Sequence, residues 1–301
     1  MQLTILGCHS ATPRINAHQT SQVLDIKNQI FLIDCGEGTQ VQLRKYKVKF
    51  NRIKHIFISH LHGDHYFGLV GLISTFRLLT RETDLHIYGP KGLKEVITLQ
   101  MKLGGNWTNF NLVFHELTSK ESELIYEDEQ VEVHTIPLKH RVYTNGFLFK
   151  EKVGERKLDM NAILNDDIDV AYYRKLKQGA DVYNEAGVLV KNESVTKAPT
   201  PPKSYAFCSD TVYTESIVPL IKDVDALYHE STFLEKHGKN AEPTKHCTAK
   251  QAAKIAKLAN AKQLILGHFS TRYDDLNEFK FEAQEVYDAV ELAEVGKVFN
   301  I

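Results

Sequence analysis

The sequence predicts an α/β fold: one domain over 1–301 built from two α/β halves, with an insertion between them. Three observations carry this. Short β-branched and aromatic runs, such as Lys54-His55-Ile56-Phe57-Ile58-Ser59, alternate with stretches of helical length and apolar periodicity, such as Phe67 to Leu79. The alternation occurs over about residues 1–150 and again over 204–301. Between them, residues 151–203 change character and become charge-rich.

The first half opens with strands at 2–7, 22–26, 30–34 and 54–59. Met1-Gln2-Leu3-Thr4-Ile5-Leu6-Gly7 has no basic stretch ahead of an apolar core, so it reads as a first strand and not a secretory leader. A helix over 67–79 follows, then a strand at 85–88 that stops at Gly89-Pro90, and a helix over 92–103. Strands near 111–116 and 130–136 lead to His140. The insertion carries Asp166-Asp167 and Tyr172-Tyr173 and ends in Ala198-Pro199-Thr200-Pro201-Pro202. The second half reads as a strand at 204–208, a helix near 213–221 and a strand at 225–229. Thr248 is the N-cap of a helix whose packing face is Ala252, Ala253, Ile255, Ala256 and Ala259. A strand at 263–267 ends at His268, and a helix over 278–293 and a strand at 297–301 close the chain.

Composition excludes some functions. No apolar run approaches the ~20 residues that span a bilayer, so no membrane partner is expected. A net charge of −1 excludes nucleic-acid binding through a globally basic surface. Local charge differs: Arg44, Lys45, Lys47, Lys49, Arg52 and Lys54 lie together with no acid among them, which suits either a solvated helix end or a phosphate-facing patch. The cysteines, Cys8, Cys35, Cys208 and Cys247, have neither CxxC nor disulfide-framework spacing, as in a cytosolic protein with reduced thiols.

The chemistry concentrates in Ser59-His60-Leu61-His62-Gly63-Asp64-His65. His60 and His62, two apart on an extended segment, project to the same side. Gly63 is expected to let the backbone turn sharply, so that Asp64 and His65 leave in another direction. Four donors within six residues cannot all reach one ion without strain, but they can serve two neighbouring ions. Further ligands must come from elsewhere. His140, Asp210 and His268 each stand at the expected C-terminal end of a strand, the edge where α/β sites are built. A lone strand-end histidine is more often hydrogen-bonded than metal-bound. Three histidines and an aspartate within six residues are not a packing pattern.

On these residues the sequence resembles the metallo-β-lactamase superfamily and, within it, the short form of RNase Z, the endonuclease that trims tRNA 3′ ends. Asp34-Cys35-Gly36-Glu37-Gly38-Thr39-Gln40 resembles the family's first motif and SHLHGDH with Phe67-Gly68-Leu69 its second. His140 and Ser209-Asp210-Thr211 resemble the third and fourth, and Gly267-His268-Phe269-Ser270-Thr271-Arg272-Tyr273 the fifth. His229-Glu230-Ser231-Thr232 and His246-Cys247-Thr248 are similar to two further segments of that branch.

The resemblance implies a four-layer αβ/βα sandwich and a homodimer in the cytoplasm acting on precursor tRNA with two zinc ions per subunit; manganese or iron would suit much the same donors. One ion would take His60, His62, His140 and Asp210, and the other Asp64, His65, His268 and the shared Asp210. Asp64 would orient the attacking water or take its proton, and His246, backed by Glu230, would protonate the departing 3′ oxygen. The insertion at 151–203 stands where the family's tRNA-binding arm belongs, but Asn165-Asp166-Asp167-Ile168-Asp169-Val170 lacks the expected Gly-Pro run. Near the N-terminus, Pro13-Arg14-Ile15-Asn16 preserves only part of the family's P-x-K-x-R-N, so treatment of CCA-containing precursors does not carry over. Two alternatives stand beside this reading: a hydrolase of small phosphodiesters or esters, and a non-catalytic RNA-binding scaffold.

Overall fold

A computed structural model describes residues 1–301 except Asn16 and Asn106, so the part of the N-terminal loop comparison that falls on Asn16 lies outside the described residues. The chain divides into two units: residues 1–127, 131–150 and 203–301 form the first, and 128–130 with 151–202 the second.

In the first unit the apolar runs form two seven-stranded sheets. The N-terminal half supplies β1 (Gln2–Gly7), β2 (Ser21–Ile26), β3 (Gln29–Ile33), β4 (Ile53–Phe57), β5 (Leu85–Pro90) and β6 (Leu112–Leu117), then β7 (Leu124–Glu127), β8 (Val131–Leu138) and β9 (Thr144–Glu151). The second unit holds β10 (Lys157–Leu158), β11 (Val182–Tyr183), β12 (Leu189–Val190) and β13 (Thr196–Lys197). After it come β14 (Ser204–Cys208), β15 (Ala226–Glu230), β16 (Leu264–Gly267), β17 (Val290–Leu292) and β18 (Val298–Asn300). One sheet runs β18-β1-β2-β3-β4-β5-β6 and the other β17-β16-β15-β14-β9-β8-β7. Strands β3 to β6 are mutually parallel, as are β14 to β17. Parallel pairing aligns the C-terminal ends of successive strands, and there the polar strand-end residues collect.

Aromatic side chains fill the space between the sheets. Phe31 meets Phe149 at 5.6 Å, and Phe57 meets Phe147 and Phe149 at 5.3 Å between ring centroids. Such tilted and edge-on contacts are the arrangement that aromatic quadrupoles favour. Helices cover the outer faces. On one side, α1 (Thr39–Lys45), α3 (Gly68–Leu78) and α4 (Leu93–Leu103) bury Leu43, Leu72, Phe76 and Ile97 with Leu32, Ile56 and Ile87; the short α2 (Gly63–Tyr66) precedes α3. The second unit holds α5 (Met160–Asn165), α6 (Tyr173–Lys177) and α7 (Asn192–Val195); in the second half of the first unit, α8 (Gly238–Thr244) leads to α9 (Ala249–Leu258), which packs on β15 and β16 and against α10 (Asn277–Gln284). Thr248 caps α9 in a full capping box with Gln251, and the alanines of its packing face are buried.

Two expected helices are shorter. Residues 213–221 contain only a 3₁₀ turn at Glu215–Ile217, because Pro219 supplies no N–H to continue the ladder. The segment 278–293 divides into α10 and β17, where Val290 and Leu292 extend the sheet beside β16; edge pairing outweighs the helical periodicity.

The second unit has its own apolar cluster of Ile163, Ile168, Leu176, Val182, Val190 and Val195. Its acidic run is partly structural. The Asp169 carboxylate accepts from Ala171 N–H at 2.7 Å and so caps a 3₁₀ turn, as Asp159 caps the helix Met160–Asn165. Arg174, Lys175 and Lys177 are exposed around the buried Leu176.

Candidate metal centre

All seven predicted metal-binding residues come together at the C-terminal edges of the strands. His60 and His62 follow β4, His140 follows β8, Asp210 follows β14 and His268 follows β16, while Asp64 and His65 lie in α2. Asp210 and His268 both take left-handed backbone angles (φ 54° and 58°), which turn the chain abruptly at the strand end; short polar residues tolerate this better than branched ones. Gly63 has another role than the expected turn. A Cβ there would stand 2.2 Å from the Phe67 ring, so glycine makes room for that side chain.

The donors fall into two groups. In the first, His62 Nδ1 lies 2.9 Å from His60 Nε2 and 3.2 Å from His140 Nε2, and Asp210 Oδ2 lies 3.4 and 3.6 Å from those two Nε2 atoms. In the second, Asp64 Oδ2 is 3.3 Å from His65 Nε2 and 3.4 Å from His268 Nε2, with Asp210 Oδ1 3.4 and 3.0 Å from the same nitrogens. Ligands of a tetrahedral cation with bonds of about 2.0–2.2 Å stand roughly 3.3–3.6 Å apart, so both groups have the span of a metal site. Asp210 offers one oxygen to each.

Hydrogen bonds on the far side of each ring decide which nitrogen faces inward. Ser59 Oγ donates its one proton to Asp34 Oδ2 at 2.9 Å, so His60 Nδ1–H donates to Ser59 Oγ at 3.0 Å. His65 Nδ1–H donates to Asp34 Oδ2 at 2.6 Å and His140 Nδ1–H to the Lys245 carbonyl at 2.9 Å. Thr232 Oγ donates to Glu230 Oε2 at 2.6 Å and accepts from His268 Nδ1–H at 2.9 Å. Four Nε2 atoms are therefore turned toward one another across the centre. His65 Nε2 is fully buried with no hydrogen-bond partner among the described residues. Burial opposes charge on that ring, yet Asp64, Asp210 and Asp34 outweigh burial and hold its pKa well above the usual range. A cation held there would take the place of the proton the carboxylates attract. The donor set, the span and the orphaned nitrogen fit a metal.

Beside the two groups lies the predicted pair: His246 Nδ1 is 2.9 Å from Glu230 Oε1, and His246 also stands close to Asp210 and His268. Glu230 is wholly buried and accepts from the backbone N–H groups of Thr211 and Thr232, each at 3.0 Å.

Two site residues escaped the sequence reading. Asp34, buried at the end of β3, binds Ser59 N–H at 2.7 Å as well as Ser59 Oγ and His65, and so orients two of the rings. Thr232 links Glu230 to His268. Asp34 lies within a quoted motif; its role required knowing that β3 and β4 are parallel neighbours. Asp34→Asn keeps the size but removes the charge that orders His65. It is expected to weaken metal binding roughly 10–100-fold in a chelator competition while the fold persists. Unchanged affinity would refute that role.

The exposed basic run is divided. Arg44, Lys45, Lys47, Lys49 and Lys54 face solvent, while Arg52 is engaged by the Asn28 carbonyl and by Asp25 at 3.7 Å.

Known proteins are similar to this chain in sequence and in structure. The family model described as Anti-Pycsar protein Apyc1 matches residues 1–161. A protein named ribonuclease Z from Bacteroides thetaiotaomicron is 45% identical over 300 residues, covering 100% of this chain and 95% of that protein. Among solved structures, human tRNase Z, short form (ELAC1), has a TM-score of 0.73 at 29% identity, covering 100% of this chain and 99% of its own. The metallo-β-lactamase fold protein YhfI from Bacillus subtilis has a TM-score of 0.69 at 18% identity, covering 99% and 98%, a likeness of fold.

Proposed function

Because this chain belongs to the ribonuclease Z family, with the metallo-β-lactamase fold and a first half that also belongs to the Anti-Pycsar protein Apyc1 family, we propose that it removes the 3′ trailer from precursor tRNA by phosphodiester hydrolysis. The observation that carries the reading is the pair of donor groups sharing Asp210, with the Glu230–His246 pair beside them.

His60, His62, His140 and Asp210 would hold one zinc ion, and Asp64, His65, His268 and Asp210 the second. When bound, two such cations supply Lewis acidity, bringing the pKa of a water towards neutrality and offsetting charge on the phosphate. Asp64 orients that water and accepts its proton. The water oxygen forms the new bond to phosphorus in line with the bond that breaks, between phosphorus and the 3′ oxygen. His246 gives its Nε2 proton to that oxygen, and Glu230 holds the ring and its charge. The products are a tRNA with a 3′-hydroxyl and a trailer with a 5′-phosphate.

The reading extends to the setting of the reaction. The unit holding residues 151–202 would serve as the tRNA-binding arm, with Arg174, Lys175 and Lys177 as phosphate contacts; the exposed lysines near α1 are the other basic surface available. A homodimer in the cytoplasm accords with the family, and the four buried free cysteines accord with a reducing compartment.

The test compares a 3′-extended precursor tRNA with a small aryl phosphodiester, before and after chelation. One endonucleolytic cut, lost on metal stripping, restored by zinc and favoured in kcat/KM over the small diester, is expected. Preference for the small diester, or full activity in stripped protein, would overturn it.

A further inference from the structure

His246 lines more than the metal centre. It also forms part of the wall of a cavity of about 330 Å³ bounded by Val212, Tyr213, Ala241, Glu242, Lys245 and Gln251. Such a volume lies within the range of small-ligand sites. The loops around it are tied to the centre. The Lys245 carbonyl accepts from His140 at 2.9 Å, His246 N–H donates to the Ala241 carbonyl at 2.8 Å, and Val212 N–H donates to the Lys139 carbonyl at 3.0 Å.

The lining has the chemistry of base recognition. Tyr213 supplies a flat aromatic ring, steadied by its hydroxyl, which donates to Glu215 Oε1 at 2.7 Å. Gln251 Oε1 accepts from Thr248 N–H at 3.0 Å, which fixes the amide and leaves its two N–H donors available. Glu242 offers acceptors, and Lys245 a positive charge. A stacking face with separate donor and acceptor edges suits a heterocyclic base better than a phosphate or an alkyl chain.

Position identifies which base. On the mechanism proposed above, on which this inference rests, His246 protonates the 3′ oxygen that leaves. That oxygen belongs to the nucleotide immediately upstream of the cut, and a cavity sharing His246 lies within reach of the same nucleoside. We propose that this cavity receives the base of that upstream nucleotide, making Tyr213, Glu242 and Gln251 specificity residues of the cleavage.

The experiment is single-turnover cleavage of a 3′-extended precursor tRNA carrying either the normal base or an abasic site just upstream of the cut. Removing the base is expected to slow the wild-type protein on the order of tenfold, within the range of base–aromatic stacking. Tyr213→Leu should slow the intact substrate by a similar factor and abolish the difference between the two substrates. Equal wild-type rates on both substrates would overturn the proposal, as would a Tyr213→Leu loss that leaves their ratio unchanged. The exposed Glu242→Gln provides a second reading on a side chain outside the core: relative rates for the four bases should shift severalfold, and an unchanged ranking counts against the assignment. If the wild-type protein fails to cut the intact precursor, the tRNA-processing reading falls and this inference with it.

Discussion

Asp210→Ala is expected to abolish metal binding and to lower precursor cleavage by about 10³–10⁴-fold, the several kcal/mol that metal activation contributes. The size follows from sharing. Asp210 Oδ2 faces His60 and His140, and Oδ1 faces His65 and His268, so one substitution strips an anionic donor from both groups. Burial alone would push its carboxyl towards neutrality, but His268, His65 and His60 outweigh burial and hold its pKa well below the usual range. Without that carboxylate, the imidazoles face one another with less compensating charge. Metal content per chain and single-turnover rate should therefore fall together. Two metals retained with a rate within tenfold of wild type would refute the bridging assignment. His62→Ala, which removes a donor from one group only, gives the graded comparison.

Legibility in the sequence tracks how local each feature is. Residues 60–65 announce a metal centre because four donors occur within six positions, and no knowledge of the fold is needed. His140, Asp210 and His268 could be picked out as strand-end residues, because parallel strands deliver their C-terminal ends to one edge. Asp34 and Thr232 act only through hydrogen bonds to other site residues, and no spacing records a partner brought alongside by sheet pairing. The left-handed turns at Asp210 and His268 were hidden for the same reason: neither is glycine, and the strain is held by the surrounding structure. The truncated helix around Pro219 is different, since there the signal, the proline itself, is in the sequence. In the insertion, Asp159 and Asp169 use their carboxylates as helix caps, a role that only the folded backbone reveals.

His246→Ala is expected to slow cleavage by about 10²–10⁴-fold with metal content unchanged, the usual effect of removing a general acid. The surroundings of His246 suit the role proposed for it. Burial would lower its pKa, but the Glu230 carboxylate outweighs burial and raises it to about 9. The partner responds in the matching direction: burial would raise Glu230, yet His246 brings it down to about 2. Both shifts favour an imidazolium held by a carboxylate through Nδ1, with the Nε2 proton left to be given. A slower variant alone would not establish this, since any distortion beside the metals slows the reaction. The decisive substrate is a precursor with sulfur in place of the bridging 3′ oxygen, whose leaving group departs without protonation. On it, His246→Ala should cleave close to the wild-type rate, and a deficit as large as on the oxygen substrate would remove His246 from the role of acid. Glu230→Gln is a poorer probe. Glu230 accepts from Thr211 and Thr232 N–H on its two oxygens, and an amide would set its own N–H₂ against one of those donors.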